Sequence, residues 1–103
     1  NLSVEYEYLF ADGGFSVDSI LGKARRKKTF DCDKEDVQVI APANSYVLKD
    51  YEKQGMKVID CTSHNAGADA LISQKGAQTT KVLFEPGDKM KAAMRRVFPR
   101  KFI

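Results

Sequence analysis

The sequence predicts a mainly β domain, in which about seven antiparallel strands form a sandwich or small, partly open barrel and one amphipathic helix follows. Three observations favour this fold class. Segments with alternating apolar side chains recur roughly every 8 to 16 residues up to Glu85. Turn signals such as Asp12-Gly13 separate these segments. After Pro86 the apolar spacing changes from the period of a strand to that of a helix.

Length and composition indicate one soluble globular domain. The chain has 103 residues, which is enough for one hydrophobic core and too few for two domains. Apolar residues make up 43% of the chain and charged residues 30%, as is typical of folded rather than disordered proteins. We therefore predict a single domain over residues 1–103, with strands within 4–85 and a helix at about 86–98.

The first three strands are predicted as an antiparallel meander between residues 4 and 31. One face of the first strand, Val4–Phe10, carries aromatic and β-branched side chains, and the other carries glutamates and a leucine. An Asp-Gly step then supplies the positive φ angles that a tight hairpin turn needs. The chain returns through Phe15–Ile20 and, after Gly22, enters a third strand that ends near Phe30.

Four further short segments predict the remaining strands. Their ranges are Val37–Ala41, Met56–Cys61, Asp69–Gln74 and Gln78–Glu85. In the last of these strands, Thr80, Val82 and Phe84 share one face, which is expected to pack in the core. Before the fifth strand, Asn44-Ser45 can cap a short helix at Tyr46–Lys53, although the same residues also suit an extended loop.

The C-terminal segment predicts one amphipathic α-helix. Pro86 suits the first turn of a helix, where its missing N–H has no cost, and Asp88 favours the positive end of the helix dipole. Apolar side chains follow at helical spacing, at Met90, Ala93, Met94 and Val97. Phe98-Pro99 ends the helix. We expect this apolar stripe to pack on the core and to close one mouth of the barrel.

Basic residues are concentrated in two clusters, although the formal net charge is only +3. The first cluster is Lys23, Arg25, Arg26, Lys27 and Lys28, and the second is Lys89, Lys91, Arg95, Arg96, Arg100 and Lys101. Such clusters are typical either of a solvated surface that maintains solubility or of a surface that binds anions. We predict an anion-binding role for all of these residues except Lys89 and Lys91.

Two kinds of partner fit these clusters. They are an anionic lipid surface and an acidic protein segment, whereas nucleic acid is disfavoured because no stacking motif accompanies the charges. This hypothesis of a membrane-proximal binding module predicts that Arg25–Lys28 lie on one open face with the helix charges. The alternative is a structural domain that pairs with a second copy through a sheet edge. It predicts a concentration-dependent dimer that is indifferent to those charges.

No metal site or cofactor is predicted. Two cysteines and one histidine are too few for a four-ligand zinc site built from these residue types. Cys32 and Cys61 are predicted as free thiols, at least one of them buried, with a single disulfide as the alternative if the domain is extracellular. The acidic residues at positions 31–36 lack the glycine and the terminal glutamate of a calcium loop.

A third hypothesis is a small hydrolase or ligand carrier. His64 can act as a general base only if Asp60 or Asp69 orients it within a deep pocket. No serine or cysteine motif accompanies this histidine, and its polar loop at residues 62–67 predicts an exposed side chain. We therefore expect that the chain is not an enzyme.

The order of seven strands and one C-terminal helix resembles the pleckstrin-homology-like (PH-like) barrel. Two segments, YEYLFADGGFSVDSILGKARRKK at 6–28 and VLFEPGDKMKAAMRRVFPRK at 82–101, are similar to a family of small uncharacterised bacterial proteins. The similarity covers essentially the whole chain. It implies a PH-like domain, often behind an N-terminal hydrophobic segment, and hence a place in the cytoplasm or at the cytoplasmic face of a membrane. The fold hosts many unrelated binding functions and does not itself define a ligand.

Overall fold

The computed structural model describes residues 3–64 and 67–103, and it confirms the predicted mainly β fold with seven strands and one C-terminal helix. The first sheet has the order β1 (Val4–Ala11), β2 (Gly14–Leu21) and β3 (Arg25–Cys32). The second sheet has the order β4 (Val37–Pro42), β6 (Asp69–Lys75), β7 (Gln78–Phe84) and β5 (Lys57–Asp60). The helix α1 spans Asp88–Val97. Within the described residues, the two sheets do not close into one continuous barrel.

The β1–β2 hairpin forms at the predicted Asp-Gly step. Asp12 and Gly13 have φ angles of +55° and +82°, as a two-residue turn with two left-handed central residues requires. This turn sets the register, so that Tyr8 lies opposite the buried Val17. The aromatic face of β1 therefore packs towards the core, and its glutamates lie on the outer face of the first sheet.

The strand β5 departs from the prediction of antiparallel strands, because it pairs in parallel with β7. Both β4 and β7 run antiparallel to β6, so β4 and β5 run in the same direction. Parallel strands need a crossover of roughly a dozen residues or more, and residues 43–56 supply it. The helix predicted at Tyr46–Lys53 lies in this crossover as a shorter 3-10 helix, Tyr46–Asp50. The Ser45 Oγ caps it by accepting a hydrogen bond from Val47 N at 3.2 Å.

Two apolar clusters form the interior. The main core lies between the two sheets and α1, and its buried members are Phe15, Val17, Cys32, Val37, Ile40, Cys61, Leu71, Val82, Phe84, Met94 and Phe98. The smaller cluster buries Leu48 of the crossover against residues of β4 and β6. Thr80, Val82 and Phe84 are all buried, which confirms the predicted inward face of β7.

The helix α1 packs on the main core through the predicted apolar stripe. Met94 is fully buried, and Met90 and Val97 are half-buried against the same core. The first helical hydrogen bond is accepted by Gly87 O, so the helix begins at Asp88 rather than at the predicted position 86. Among the described residues, no helix is long and apolar enough to cross a bilayer.

The chain after α1 extends the second sheet, a feature that the sequence analysis did not predict. Phe102 forms a parallel bridge with Ile40 of β4. The Ile40 N donates a hydrogen bond to Lys101 O, and Ile103 N donates one to Ile40 O, both at 2.8 Å. The tail therefore covers the outer edge of β4.

Both cysteines are free and buried, as the free-thiol prediction expects. Burial is the main reason that the pKa of the Cys32 thiol rises to about 12 and that of Cys61 to about 11, and neighbouring carboxylates add to both shifts. Because a thiolate is the reactive form, these raised pKa values make both thiols poor nucleophiles.

We expect iodoacetamide at pH 8 to leave both cysteines of the folded domain unmodified and to alkylate both in the urea-unfolded chain. Mass spectrometry counts the added groups, and rapid alkylation of the folded domain would contradict the buried placement.

The raised thiol pKa values also link stability to pH. In the folded domain, the pKa values of Cys32 and Cys61 lie above the ordinary value of 9.0. The stabilisation linked to the protonated thiols is therefore complete below pH 9 and is lost as the pH rises towards 12.

Candidate anion-binding surfaces

The β2–β3 pairing divides the first basic cluster between the two faces of the first sheet. Arg25 lies opposite Leu21, and Lys27 lies opposite Ser19. Because alternate residues of a strand point to opposite faces, Leu21 and Ser19 share a face with the buried Val17. Arg25 and Lys27 therefore lie on the face of the first sheet that packs on the core. They lie near the end of that face, past the area that the core covers.

The other two cations of β3, Arg26 and Lys28, lie on the outer face beside carboxylates. The Arg26 Nη1 lies 2.6 Å from Glu7 Oε1 and 3.0 Å from Asp18 Oδ2. These hydrogen bonds lower the pKa of Glu7 and raise the pKa of Arg26. The Lys28 Nζ lies 3.7 Å from Asp31 Oδ2. The expectation that Arg25–Lys28 form one open basic face is therefore wrong, because strand alternation separates them.

A groove of about 400 Å³ lies at the β2–β3 turn. Its lining residues are Val4, Ser19, Leu21, Arg25, Arg26 and Lys27. Val4 is 48% exposed and Leu21 is half-buried, so apolar side chains lie open beside the cations. Lys23 is exposed in the adjoining turn, with a φ of +65°. We call the set Val4, Leu21, Lys23, Arg25 and Lys27 the turn-end surface.

The three cations of the turn-end surface differ from Arg26 and Lys28 in their electrostatic surroundings. Within the part of the chain that the structure describes, no carboxylate oxygen lies within 4.0 Å of the side-chain nitrogens of Lys23, Arg25 or Lys27. The positive charge at this end of the sheet is therefore available to an external anion.

The C-terminal half of the second basic cluster lies at the opposite end of the first sheet. There Arg96 lines a groove of about 460 Å³ with Asp12 and Gly13, which form the β1–β2 turn. The β2–β3 turn lies seven residues away along each strand, or about 23 Å at roughly 3.3 Å per residue. The structure therefore does not bring the two basic clusters together, contrary to the expectation that they share one face.

Two cations of the second cluster, Arg95 and Lys101, hold the C-terminal segment in place. The Arg95 Cζ lies 4.6 Å from the centre of the Phe102 ring. The Lys101 Nζ donates a hydrogen bond to Val37 O at 2.7 Å and lies 5.9 Å from the centre of the Phe98 ring. By contrast, Arg96 and Arg100 are exposed, and no described carboxylate oxygen lies within 4.0 Å of their side-chain nitrogens.

His64 does not lie in an enclosed site. Its side chain is 77% exposed, and its Nε2 lies 3.7 Å from Asp60 Oδ2. The Asp60 Oδ1 accepts hydrogen bonds from Thr62 N at 3.0 Å and from Thr62 Oγ1 at 2.6 Å, which lower the pKa of Asp60. Asp69 lies beside Lys91 instead, at 3.7 Å. The described residues therefore do not form the deep pocket that the hydrolase hypothesis requires; residues 65 and 66 of the same loop lie outside them.

Asp36, one of the acidic residues at positions 31–36, has a structural role. The Asp36 Oδ2 accepts a hydrogen bond from Asp33 N at 3.0 Å, which closes the start of the 3-10 helix Lys34–Asp36. Among the described residues, no group of three or more cysteine, histidine or acidic side chains is arranged to hold a metal ion.

Comparison with protein-family models matches residues 1–103 to the family described as Bacterial PH-like domain (DUF6106). No curated protein and no solved structure matches the chain. The family match covers both segments that carry the resemblance, and its description agrees with the two sheets and the C-terminal helix. The chain therefore belongs to this family of bacterial PH-like domains.

Proposed function

We propose that this PH-like domain is a non-catalytic binding module that docks on an anionic membrane at its cytoplasmic face through the turn-end surface. The observation that supports the proposal is the pairing of unneutralised cations with open apolar side chains at one end of the first sheet. Cations of this kind attract anionic headgroups, while apolar side chains such as Val4 and Leu21 enter the boundary between headgroups and acyl chains.

The path of the chain supports the same orientation. The Gly22 N donates a hydrogen bond to Ser3 O at 2.9 Å, so β1 begins beside the β2–β3 turn. The family resemblance implies that a hydrophobic segment often precedes the domain. Such a segment would join the domain at the turn-end surface and would hold Lys23, Arg25 and Lys27 close to the headgroups.

The charges predict weak and salt-dependent binding by the domain alone. Each basic residue at an anionic surface contributes about 1 kcal/mol, so three contribute about 3 kcal/mol at low ionic strength. Salt screens this attraction over roughly 8 Å at physiological ionic strength. A membrane segment in the same chain would raise the local concentration of lipid headgroups and make even weak binding effective.

Co-sedimentation with vesicles tests the proposal. We expect the domain to bind phosphatidylglycerol-containing vesicles at low salt and not phosphatidylcholine vesicles. A triple variant, Lys23→Ser with Arg25→Ser and Lys27→Ser, is expected to bind about 100-fold more weakly. The matched control, Lys34→Ser with Arg96→Ser and Arg100→Ser, removes the same charge from residues that line the grooves at the opposite end, and it is expected to bind nearly as well as the parent. Equal loss in both variants, or no binding by the parent, would contradict the proposal.

One observation favours a second candidate function, a structural domain that pairs through a sheet edge. The tail covers the edge of β4, whereas β5 forms the other edge of the second sheet and its Val58 is 54% exposed. A concentration-dependent dimer in sedimentation velocity, unchanged in the triple variant, together with no vesicle binding, would favour this function over membrane docking.

A further inference from the structure

We propose that the end of the domain opposite the turn-end surface binds an extended peptide segment that carries both acidic and apolar side chains. The site consists of two adjoining grooves, of about 460 and 430 Å³, which share Lys34 and Val97. Together they run from the β1–β2 turn, past the 3-10 helix Lys34–Asp36, to Pro99 and Arg100 after α1. We call this pair of grooves the helix-end groove.

Apolar side chains form part of the lining of the helix-end groove. Phe10, Val97, Phe98 and Pro99 line it, and the Phe10 and Phe98 rings pack with their centres 5.9 Å apart. These residues come from β1, from α1 and from the segment after α1, so three separate parts of the fold form one surface. A small inorganic anion would leave this apolar surface unused, whereas a peptide with apolar side chains would bury it.

Cations line both grooves. Lys34 lies where the two grooves meet, Arg96 lines one groove and Arg100 the other. No described carboxylate oxygen lies within 4.0 Å of the side-chain nitrogens of these three residues, although Asp12 and Glu35 are also present in the lining. The excess of positive charge favours an acidic partner, and the separation of the cations favours carboxylates spaced along a chain.

The backbone of the β1–β2 turn positions Lys34. Gly13 is buried, and a Cβ atom added to it would lie 2.9 Å from the Cβ, Cγ and Cδ atoms of Lys34. The absence of a side chain at Gly13 therefore lets the methylene stem of Lys34 cross the turn directly. Sequence analysis missed Lys34, which is one lysine in an acidic stretch and belongs to neither basic cluster.

Location favours a peptide over a second lipid surface. The helix-end groove lies about 23 Å along the first sheet from the turn-end surface. A flat bilayer that contacts the turn-end surface would leave the helix-end groove facing the solvent. This preference for a peptide over lipid rests on the proposed docking, whereas the apolar lining and the cations of the groove do not, because different residues form the two surfaces.

Fluorescence anisotropy with a labelled peptide tests the inference. The probe is a short extended peptide that alternates glutamate and leucine, and the reference peptide alternates glutamate and serine. We expect the parent domain to bind the first peptide more tightly than the second. The double variant Arg96→Glu with Arg100→Glu is expected to bind the first peptide at least about tenfold more weakly. The matched control, Arg25→Glu with Lys27→Glu, makes the same charge change at the other end and is expected to alter binding by less than about twofold.

Far-UV circular dichroism checks that both double variants are folded, which is expected because all four substituted side chains are exposed. The inference would be overturned if the parent domain bound neither of the two peptides. Equal weakening in the two double variants would also overturn it, since that result indicates a general charge effect. Loss of vesicle binding in Arg96→Glu with Arg100→Glu alone, without loss of peptide binding, would assign this end to lipid instead.

Discussion

Replacing Phe84 by alanine is expected to lower the free energy of unfolding by about 3–5 kcal/mol. Phe84 is fully buried at the end of β7, and its ring centre lies 4.9 Å from that of Phe15 on the first sheet. It also packs edge-to-face against Tyr8, with 5.7 Å between the ring centres. Because these rings belong to different sheets, the truncation leaves a cavity where the sheets meet and removes contacts from both.

Urea unfolding followed by circular dichroism measures this loss. The control is Leu9→Ala, which truncates an apolar side chain that is 62% exposed on the outer face of β1. We expect the control to change the free energy of unfolding by less than about 0.5 kcal/mol. A loss below 1 kcal/mol for Phe84→Ala would contradict the placement of this face of β7 in the core.

Replacing Met94 by aspartate is expected to unfold the domain or to detach α1 from the core. Met94 is the one residue of α1 that is fully buried, and it packs among Phe98 and the aromatic residues of the main core. An ionised carboxylate placed there has no partner, and the cost of burying it is comparable to the whole stability of a small domain, about 5–15 kcal/mol.

Thermal unfolding and far-UV circular dichroism measure the effect of Met94→Asp. The matched control is Ala92→Asp, because Ala92 lies on the exposed side of the same helix. The control introduces the same residue at nearly the same place in the helix, so it separates burial of the charge from the low helix propensity of aspartate. An unchanged melting temperature for Met94→Asp would contradict the docking of α1.

Most strands could be predicted from the sequence because the signals that define them are local. Alternation of apolar side chains placed β1 and β7, and an Asp-Gly step placed the first hairpin turn. The helix could be predicted for the same reason, since its stripe lies within one ten-residue segment. Each of these features depends on residues that are close together in the chain.

Features that depend on distant residues could not be predicted in this way. The parallel pairing of β5 with β7 depends on where the crossover at residues 43–56 returns to the sheet. The bridge between Phe102 and Ile40 likewise joins residues far apart in the chain. No short sequence pattern encodes either pairing, because a strand of this kind can be accommodated at more than one edge.

The candidate site could be predicted only in part. Composition located two basic clusters, but closeness in sequence suggested that Arg25–Lys28 act together. Strand alternation, which was visible in the sequence, already separates Arg25 and Lys27 from Arg26 and Lys28. The neutralisation of Arg26 by Glu7 was not visible, because it depends on the register between three strands.

The orientation of the domain on an anionic bilayer is the most direct test of the proposed function. In an NMR experiment on vesicles that contain phosphatidylglycerol and a spin-labelled lipid, the amide signals closest to the bilayer are broadened. We expect selective broadening at Val4 and at residues 21–27, with sharp signals retained at Lys34, Arg96 and Arg100. Broadening at those three residues instead, with sharp signals at residues 21–27, would show that the opposite end faces the membrane and would contradict the account.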